Sequence, residues 1–387
     1  MTLLQLPQTF LLEKEAMHTA SEISNQPVLW NQTAEKLFKA SAVLGDFLQK
    51  AYGEINNIIL TGAGTSAFIG RSLQGSFFTT TGKLTRAVAT TDIVSHPYHY
   101  FSGNDIPLVI SFARSGNSPE SVAAVELADR FSKKCYHLIV TCSEEGALAK
   151  VRSKNPLEVF VLPETANDKS LAMTGSYSSM LLTGLLLAYL PQNDFCRKQL
   201  RLICAAAGKI LKEDIEKIQQ LAETNFERAV FLGSGPLAGT ATEAALKLQE
   251  LTDGRIICQS DSYLGFRHGP KAVIDNTTLV VYFFNSNPYV RKYEEDLLHA
   301  MKNGQTALYQ FGVSERETKN RQLDAQVSYN TDTDDIAEDF LPVCSIVPAQ
   351  LIAFFKSLQL GLMPDTPSAS GSISRVVEGV NIYPVTN

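Results

Sequence analysis

Two strand–turn–helix units recur in this chain at one fixed offset, and that repetition constrains the fold more than any other feature. Ile58-Ile59-Leu60 reads as a short apolar strand, Gly62-Ala63-Gly64-Thr65-Ser66 as a turn, and Phe68–Leu73 as the start of a helix. Ala229-Val230-Phe231-Leu232, Gly233-Ser234-Gly235 and Gly239–Leu251 repeat that order, with Gly62 and Gly233 standing 171 residues apart. Leu108–Ser115 matches Leu279–Ser286 at the same offset of 171. One offset shared by two separate units implies a duplicated domain. Further strands are expected at Pro107–Phe112, Tyr136–Thr141 and Leu157–Pro163, with helices at Glu120–Phe131, behind Pro119 in the first turn, and at Ser176–Leu190. Strands alternating with helices predict parallel βαβ units and an α/β fold. The boundary between copies is expected near the polar helix Leu211–Thr224, and residues 1–36 show no strand-like run. Trp30, the single tryptophan, is expected to pack a helix onto the body.

Composition narrows the function classes. With 387 residues and 44% apolar content the chain can bury a sizeable core. Lys+Arg 34 against Asp+Glu 40 gives a net charge of −6, which argues against nucleic-acid and membrane partners. The longest apolar candidate is Met180–Leu190, too short to span a bilayer, and Met1–Gln5 has no signal-peptide character. Cys135, Cys142, Cys196, Cys204, Cys258 and Cys344 show no metal-ligand spacing and read as buried reduced thiols of a cytoplasmic protein. The six histidines form no zinc motif, and His96 and His99 have no partner at ligand spacing, so no metal is expected.

The two copies differ in their loops. The first carries Thr65, Ser66, Ser115 and Ser118, whereas the second carries Asn285-Ser286-Asn287-Pro288. Loops that follow parallel strands lie at the carboxyl edge of the sheet and lead into helix N-termini, which favour anions. Small hydroxyls there suit a phosphate with no adenosine attached; the alternative is simple helix capping. One copy is expected to have kept an anion site and the other to have lost it. Gly62-Ala63-Gly64-Thr65-Ser66-Ala67 satisfies G-x-G-x-x-A, but the acidic residue of a dinucleotide site is missing and no Gly-Lys-Ser/Thr follows, which sets nicotinamide and ATP aside.

Three further constellations stand out. Glu243, Lys247 and Glu250 share one face of the helix Gly239–Leu251, opposite Ala241, Ala244, Ala245 and Leu248. That face is either a solvated ion-pair stripe or a proton shuttle turned into the crevice. His268 sits on a loop, Gly265-Phe266-Arg267-His268-Gly269-Pro270, where solvated and functional roles are both open. The tail Pro364–Arg375 is flexible by composition, unless the apolar stretch Val376–Pro384 anchors it and makes Ser368–Arg375 a tethered loop.

Together these motifs resemble the sugar isomerase (SIS) superfamily, and nearly the whole chain resembles its AgaS type, labelled galactosamine-6-phosphate deaminase/isomerase or tagatose-6-phosphate ketose/aldose isomerase. The stretches that carry the likeness are Leu60–Gly70, Ile110–Val122, Gly265–Lys271 and Pro364–Gly371. The resemblance implies two tandem SIS domains, each a parallel five-stranded sheet flanked by helices in the flavodoxin-like, doubly wound manner. The implied divisions are a helical segment 1–36, domains 37–208 and 209–365, and a closing tail 366–387. A more distant likeness to the isomerase half of glucosamine-6-phosphate synthase implies roles. Thr65, Ser66, Ser115 and Ser118 would hold phosphate and sugar, with Thr174 nearby. Glu250 would be the C1–C2 base supported by Lys247, and His268 would open the sugar ring, supplied by a neighbouring subunit of a homodimer or higher homo-oligomer. Two departures matter: Ala113 replaces the usual first serine, leaving Arg114 to supply a donor, and Arg375 replaces a C-terminal lysine and is assigned to closing the site.

The expected chemistry is aldose–ketose isomerisation of a 2-amino-sugar 6-phosphate through an enolamine, then loss of ammonia, with no cofactor required. The alternatives are a tagatose-6-phosphate isomerase without deamination and a non-catalytic sugar-phosphate sensor.

Overall fold

The computed structural model describes residues 2–318, 322–377 and 379–385. The chain opens on a small antiparallel hairpin, β1 (Thr2–Leu3) and β2 (Leu6–Pro7), turned by positive φ at Leu4 and Gln5. This corrects the expectation of no strand before residue 36. Helices α1 (Gln8–Glu13), α2 (Met17–Ser24) and α3 (Gln26–Glu54) follow. Trp30 on α3 is buried, and its indole N–H donates to Ser178 Oγ at 2.9 Å.

The first sheet is built from β3 (Asn57–Gly62), α4 (Thr65–Thr81), β4 (Leu84–Ala89), α5 (Thr90–Ser95), β5 (Pro107–Ala113), α6 (Pro119–Phe131), β6 (Tyr136–Thr141) and β7 (Leu157–Val161), with α7 (Gly175–Ala188) after it. All five strands are parallel, in the order β4-β3-β5-β6-β7. Strands β3, β5 and β6 are buried along their whole length, as continuous apolar runs covered on both faces require. Ile59 and Val109 pack with Ile93 of α5 and Ala124 and Leu127 of α6. The alternate residue Leu60 faces the other way, its Cβ close to Gly70 of α4. Helices α4 and α6 therefore cover opposite faces.

Helices α8 (Asn193–Glu213) and α9 (Ile215–Glu223) lead into β8 (Arg228–Leu232), α10 (Leu237–Leu251), β9 (Ile257–Asp261), α11 (Tyr263–Phe266), β10 (Thr278–Phe283), α12 (Pro288–Met301), β11 (Tyr309–Ser314), β12 (Ala325–Ser328) and α13 (Leu341–Gln359). The second sheet is also parallel, in the order β12-β11-β10-β8-β9. Counted within each sheet, both orders are 2-1-3-4-5, the flavodoxin-like arrangement that duplication demands. Val230, Leu232, Val280 and Tyr282 pack against α11 and α12 through Tyr263, Phe266, Leu297 and Leu298. Their alternates Phe231 and Phe283 turn to the other face, where α10 and α13 pack on each other and on the strands.

Helix α13 was not expected, and Met180–Leu190 is not the longest apolar helix. By length and composition Glu338–Gln359 could cross a membrane, yet 94% of its apolar window is buried in the fold. Two of the six free cysteines, Cys204 and Cys258, are partly exposed rather than buried.

By contacts the chain divides into two compact units. A first-sheet unit comprises Leu29–Asn167, Gly175–Cys196 and Ser374–Asn387; a second-sheet unit comprises Met1–Val28, Asp168–Thr174 and Arg197–Ile373. Helix α8 runs through position 208, where the sequence divides the two domains.

Candidate active site

In the first-sheet unit, neighbouring strands β3 and β5 send their helices to opposite faces. Their carboxyl ends therefore form a topological switch point, where open α/β sheets bind ligands. Thr65 and Ser66, both buried, open α4 there. A Cβ on Gly62 would come within 2.6 Å of Ser66, and Gly64 holds φ +54°, so both positions of this tight turn need glycine. Ser118 precedes Pro119 as the N-cap residue of α6. Ser118 makes no side-chain cap hydrogen bond at the start of α6, which counts against the capping alternative there. The second loop is braced: Asn117 Oδ1 accepts from Ala147 N–H at 3.0 Å, Gly116 C=O from Leu148 N–H at 2.9 Å, and Ser115 Oγ from Asn117 N–H at 3.3 Å.

The tail reaches the same edge and is tethered. Arg114, buried at the end of β5, donates from Nη2 to the Arg375 carbonyl at 2.7 Å. Arg375 Nη2 in turn donates to Asn167 Oδ1 at 2.7 Å. Further along, Val385 packs on the buried cluster around Ile59 and Val109, and its carbonyl accepts from Arg130 at 3.2 Å. Residue 378 of the anchoring stretch lies outside the described residues. Thr65, Ser66, Arg114, Ser115, Ser118 and Arg375 thus share one unit.

The second-sheet unit holds the charged helix. Lys247 Nζ lies 3.3 Å from Glu243 Oε1 and 2.5 Å from Glu250 Oε2 on α10. Glu243 and Lys247 are fully buried, while the Glu250 side chain keeps 22% of its surface. This rules out a solvated stripe: of the three side chains, only that of Glu250 keeps appreciable exposure. A buried ammonium must be paired, so the two carboxylates fix it and it fixes them.

His268 is exposed in the turn after α11, its N–H donating to Gly265 C=O at 2.9 Å. Its loop belongs to the α11/α12 face of the second sheet, whereas Glu250 belongs to the α10/α13 face, so the sheet stands between them within one chain. Thr174 is buried and belongs by contacts to this unit. Its N–H donates to Asp168 Oδ2 at 2.8 Å and its C=O accepts from Gln350 Nε2 at 3.3 Å.

Two groups escaped sequence reasoning. At the second switch point, between β8 and β10, Glu338 accepts from Asn285 Nδ2 at 2.7 Å and Asn287 Nδ2 at 3.3 Å. Glu294 accepts from the Asn285 N–H with both oxygens, at 3.0 and 3.2 Å. Burial pushes its carboxyl up to about 7, against the opposing pull of that N–H and of Arg291. The Asn-rich loop already hinted at a lost anion site; nothing local pointed to Glu338.

The second group is Asp129, Cys135 and His137. Asp129 Oδ1 accepts from Cys135 Sγ at 3.0 Å, from Ser153 and Asn155 at 2.9 Å each, and lies 2.9 Å from His137 Nε2. Burial opposes ionisation of Asp129, but these hydrogen bonds, that of His137 foremost, hold its carboxyl well below the usual range. Burial, with the Asp129 charge, pushes the Cys135 thiol far up. The contacts converging on Asp129 Oδ1 make this cluster a hydrogen-bonded brace beside β6.

Comparison with known proteins agrees with this geometry. The SIS domain family matches residues 53–190. The D-galactosamine-6-phosphate deaminase AgaS of Shewanella sp. strain ANA-3 is 38% identical over 97% of this chain and 94% of its own. Its namesake from Escherichia coli O157:H7 is 40% identical over 95% of each chain. A solved structure from Clostridium novyi NT covers 100% of both chains at TM-score 0.96 and 39% identity. That of the tagatose-6-phosphate ketose/aldose isomerase from Escherichia coli covers 95% of this chain and 97% of its own at TM-score 0.84 and 35% identity. With its duplicated 2-1-3-4-5 sheets and this full-length similarity, the chain belongs to the AgaS-type family of SIS-domain proteins.

Proposed function

We propose that the protein is an amino-sugar-phosphate deaminase/isomerase that converts galactosamine 6-phosphate, with glucosamine 6-phosphate as second candidate, to the ketose 6-phosphate and ammonia. The observation that carries this reading is Glu250: a partly exposed carboxylate held 2.5 Å from a buried lysine, as a general base requires. The names of relatives 38–40% identical point to the same substrate class.

In this reading the hydroxyl loops and helix N-termini of the first-sheet unit take the phosphate, with Arg114 and Arg375 adding charge and Thr174 a supporting part. Glu250 removes the C2 proton of the open-chain amino sugar and returns one to C1, passing through an enolamine. Lys247 holds Glu250 in place. The C2 imine that results takes up water and loses ammonia. His268 opens the sugar ring from a second copy of the chain, because the sheet separates it from Glu250 within one copy. The protein is accordingly a homo-oligomer, dimeric at the least, and works in the cytoplasm. We keep 37–208 and 209–365 as its catalytic domains, 1–36 as a helical lead-in and 366–387 as the closing tail.

A tagatose-6-phosphate isomerase is the second reading, favoured by the similarity to the Escherichia coli structure of that name. A coupled assay of ammonia release from each hexosamine 6-phosphate decides between them. Ammonia from galactosamine 6-phosphate supports the deaminase; isomerisation of tagatose 6-phosphate without ammonia from either substrate establishes the plain isomerase.

A further inference from the structure

The carboxylate of Glu338 stands where the two loops of the second switch point meet. Its Oε1 accepts from Asn285 Nδ2 at 2.7 Å and its Oε2 from Asn287 Nδ2 at 3.3 Å, both on the loop between β10 and α12. Oε1 also lies 3.7 Å from where a Cβ on Gly235 would be, on the turn between β8 and α10. At the 171-residue offset Asn285, Asn287 and Gly235 match Arg114, Gly116 and Gly64 of the first sheet. Gly64 and Gly235 share a positive φ, +54° and +57°, so the matching turns bend alike at this residue. The Glu338 side chain thus occupies the crevice in which open α/β sheets bind ligands.

The seat is built without it. Asn285 is buried, and its Oδ1 accepts from the Asn287 N–H at 2.8 Å. Asn287 Oδ1 accepts from the Tyr289 N–H at 2.9 Å. With each amide oxygen taken by the backbone, each NH₂ is turned toward Glu338 by contacts in which Glu338 has no share. Glu294 fixes the same loop, both of its oxygens accepting from the Asn285 N–H. The backbone that carries Glu338 is pinned separately: Ile336 N–H donates to Glu315 Oε1 at 2.6 Å and Ala337 N–H to Gln199 Oε1 at 2.8 Å. Donors oriented in advance around an anion are what a binding site provides, because little ordering remains to be done when the ligand arrives.

We propose that the second switch point is a carboxylate-binding site whose resident ligand is the chain's own Glu338, and that a free monocarboxylate takes the seat when that side chain is removed. The proposal goes beyond the deaminase reading and does not rest on it.

The discriminating variant is Glu338→Ala, which deletes Cγ and the carboxyl group, the heavy atoms of one acetate ion. Acetate is the probe, acetamide its neutral control, and the melting temperature of the full chain the readout. Glu338→Ala should melt a few degrees below wild type, and about 100 mM acetate should restore about half of that loss along a saturating curve. Acetamide should restore none of it. Wild type and Glu338→Gln, in which the seat is filled, should respond to acetate no more than to sodium chloride at the same ionic strength. Adding Asn287→Ala to Glu338→Ala should weaken acetate about tenfold, the size of a hydrogen bond to a charged group. An equal acetate response in wild type and Glu338→Ala, or an acetate affinity untouched by Asn287→Ala, overturns the proposal. If Glu338→Ala is not recovered folded in plain buffer, refolding in acetate against acetamide reads the same site, and equal failure in both overturns it. None of these outcomes touches the deaminase reading, which ammonia release decides.

Discussion

The two switch points have the same strand order and opposite contents. Between β3 and β5 the edge presents hydroxyls, helix N-termini and arginine. Between β8 and β10 the corresponding edge is filled from within by Glu338, taken up by Asn285 and Asn287. The helices that leave these edges differ in the reverse sense. At the 171-residue offset, Glu243, Lys247 and Glu250 of α10 correspond to Ser72, Ser76 and Thr79 of α4. One copy thus has an edge fit for an external anion and a helix with hydroxyls at the three matching positions. The other closes its edge with its own carboxylate and buries charge along its helix. Anion recognition and proton transfer make opposite demands, one for unneutralised donors and the other for a compensated carboxylate. Under the proposed function, duplication lets each be met on its own sheet.

The largest test of that division is Glu250→Gln, which keeps shape and removes the proton acceptor. A loss in kcat of roughly 10²–10⁴ is expected, with phosphate binding unchanged, whereas Thr79→Ala at the equivalent place on α4 should leave kcat alone. An equal loss from both would erase the distinction between the helices. Next comes the edge. Ser115→Ala with Ser118→Ala should raise KM by about 10- to 100-fold through lost charge-assisted donors, while Asn287→Ala in the other copy should leave KM unchanged.

The smallest effect is on stability. Glu294 binds its proton more tightly folded than unfolded, with its carboxyl raised from 4.5 to about 7. Its favourable contribution is complete below the unfolded value and is lost as pH rises through that window. Melting temperature should therefore fall by a few degrees between pH 5 and 8, and Glu294→Gln should flatten the fall. A profile that keeps its slope in the variant would place the titration elsewhere.

What the sequence shows and hides follows from burial. Strands β3, β5, β6, β8 and β10 are continuous apolar runs because both faces are covered, and they are legible as written. Edge strands β4 and β9 are partly exposed and carry Thr85, Arg86, Gln259 and Asp261, so they have no such signature. Helix α13 is buried on all sides and carries Pro348 in its interior, which leaves no 3.6-residue period to detect. At the site, the spacing of Glu243, Lys247 and Glu250 announces a shared face, but its burial depends on α13. Glu338 meets Asn285 across 53 residues and Arg375 meets Asn167 across 208, pairings that only the fold creates.

The interleaving of the two units has a consequence at the level of the gene. Codons 374–387 belong, by contacts, to the unit whose sheet is encoded in the first half of the reading frame. A late stop codon therefore damages the beginning of the protein, by removing the residue that Arg114 and Asn167 grip. The duplicated copies have ceased to be portable cassettes, because neither unit is one continuous stretch of the frame.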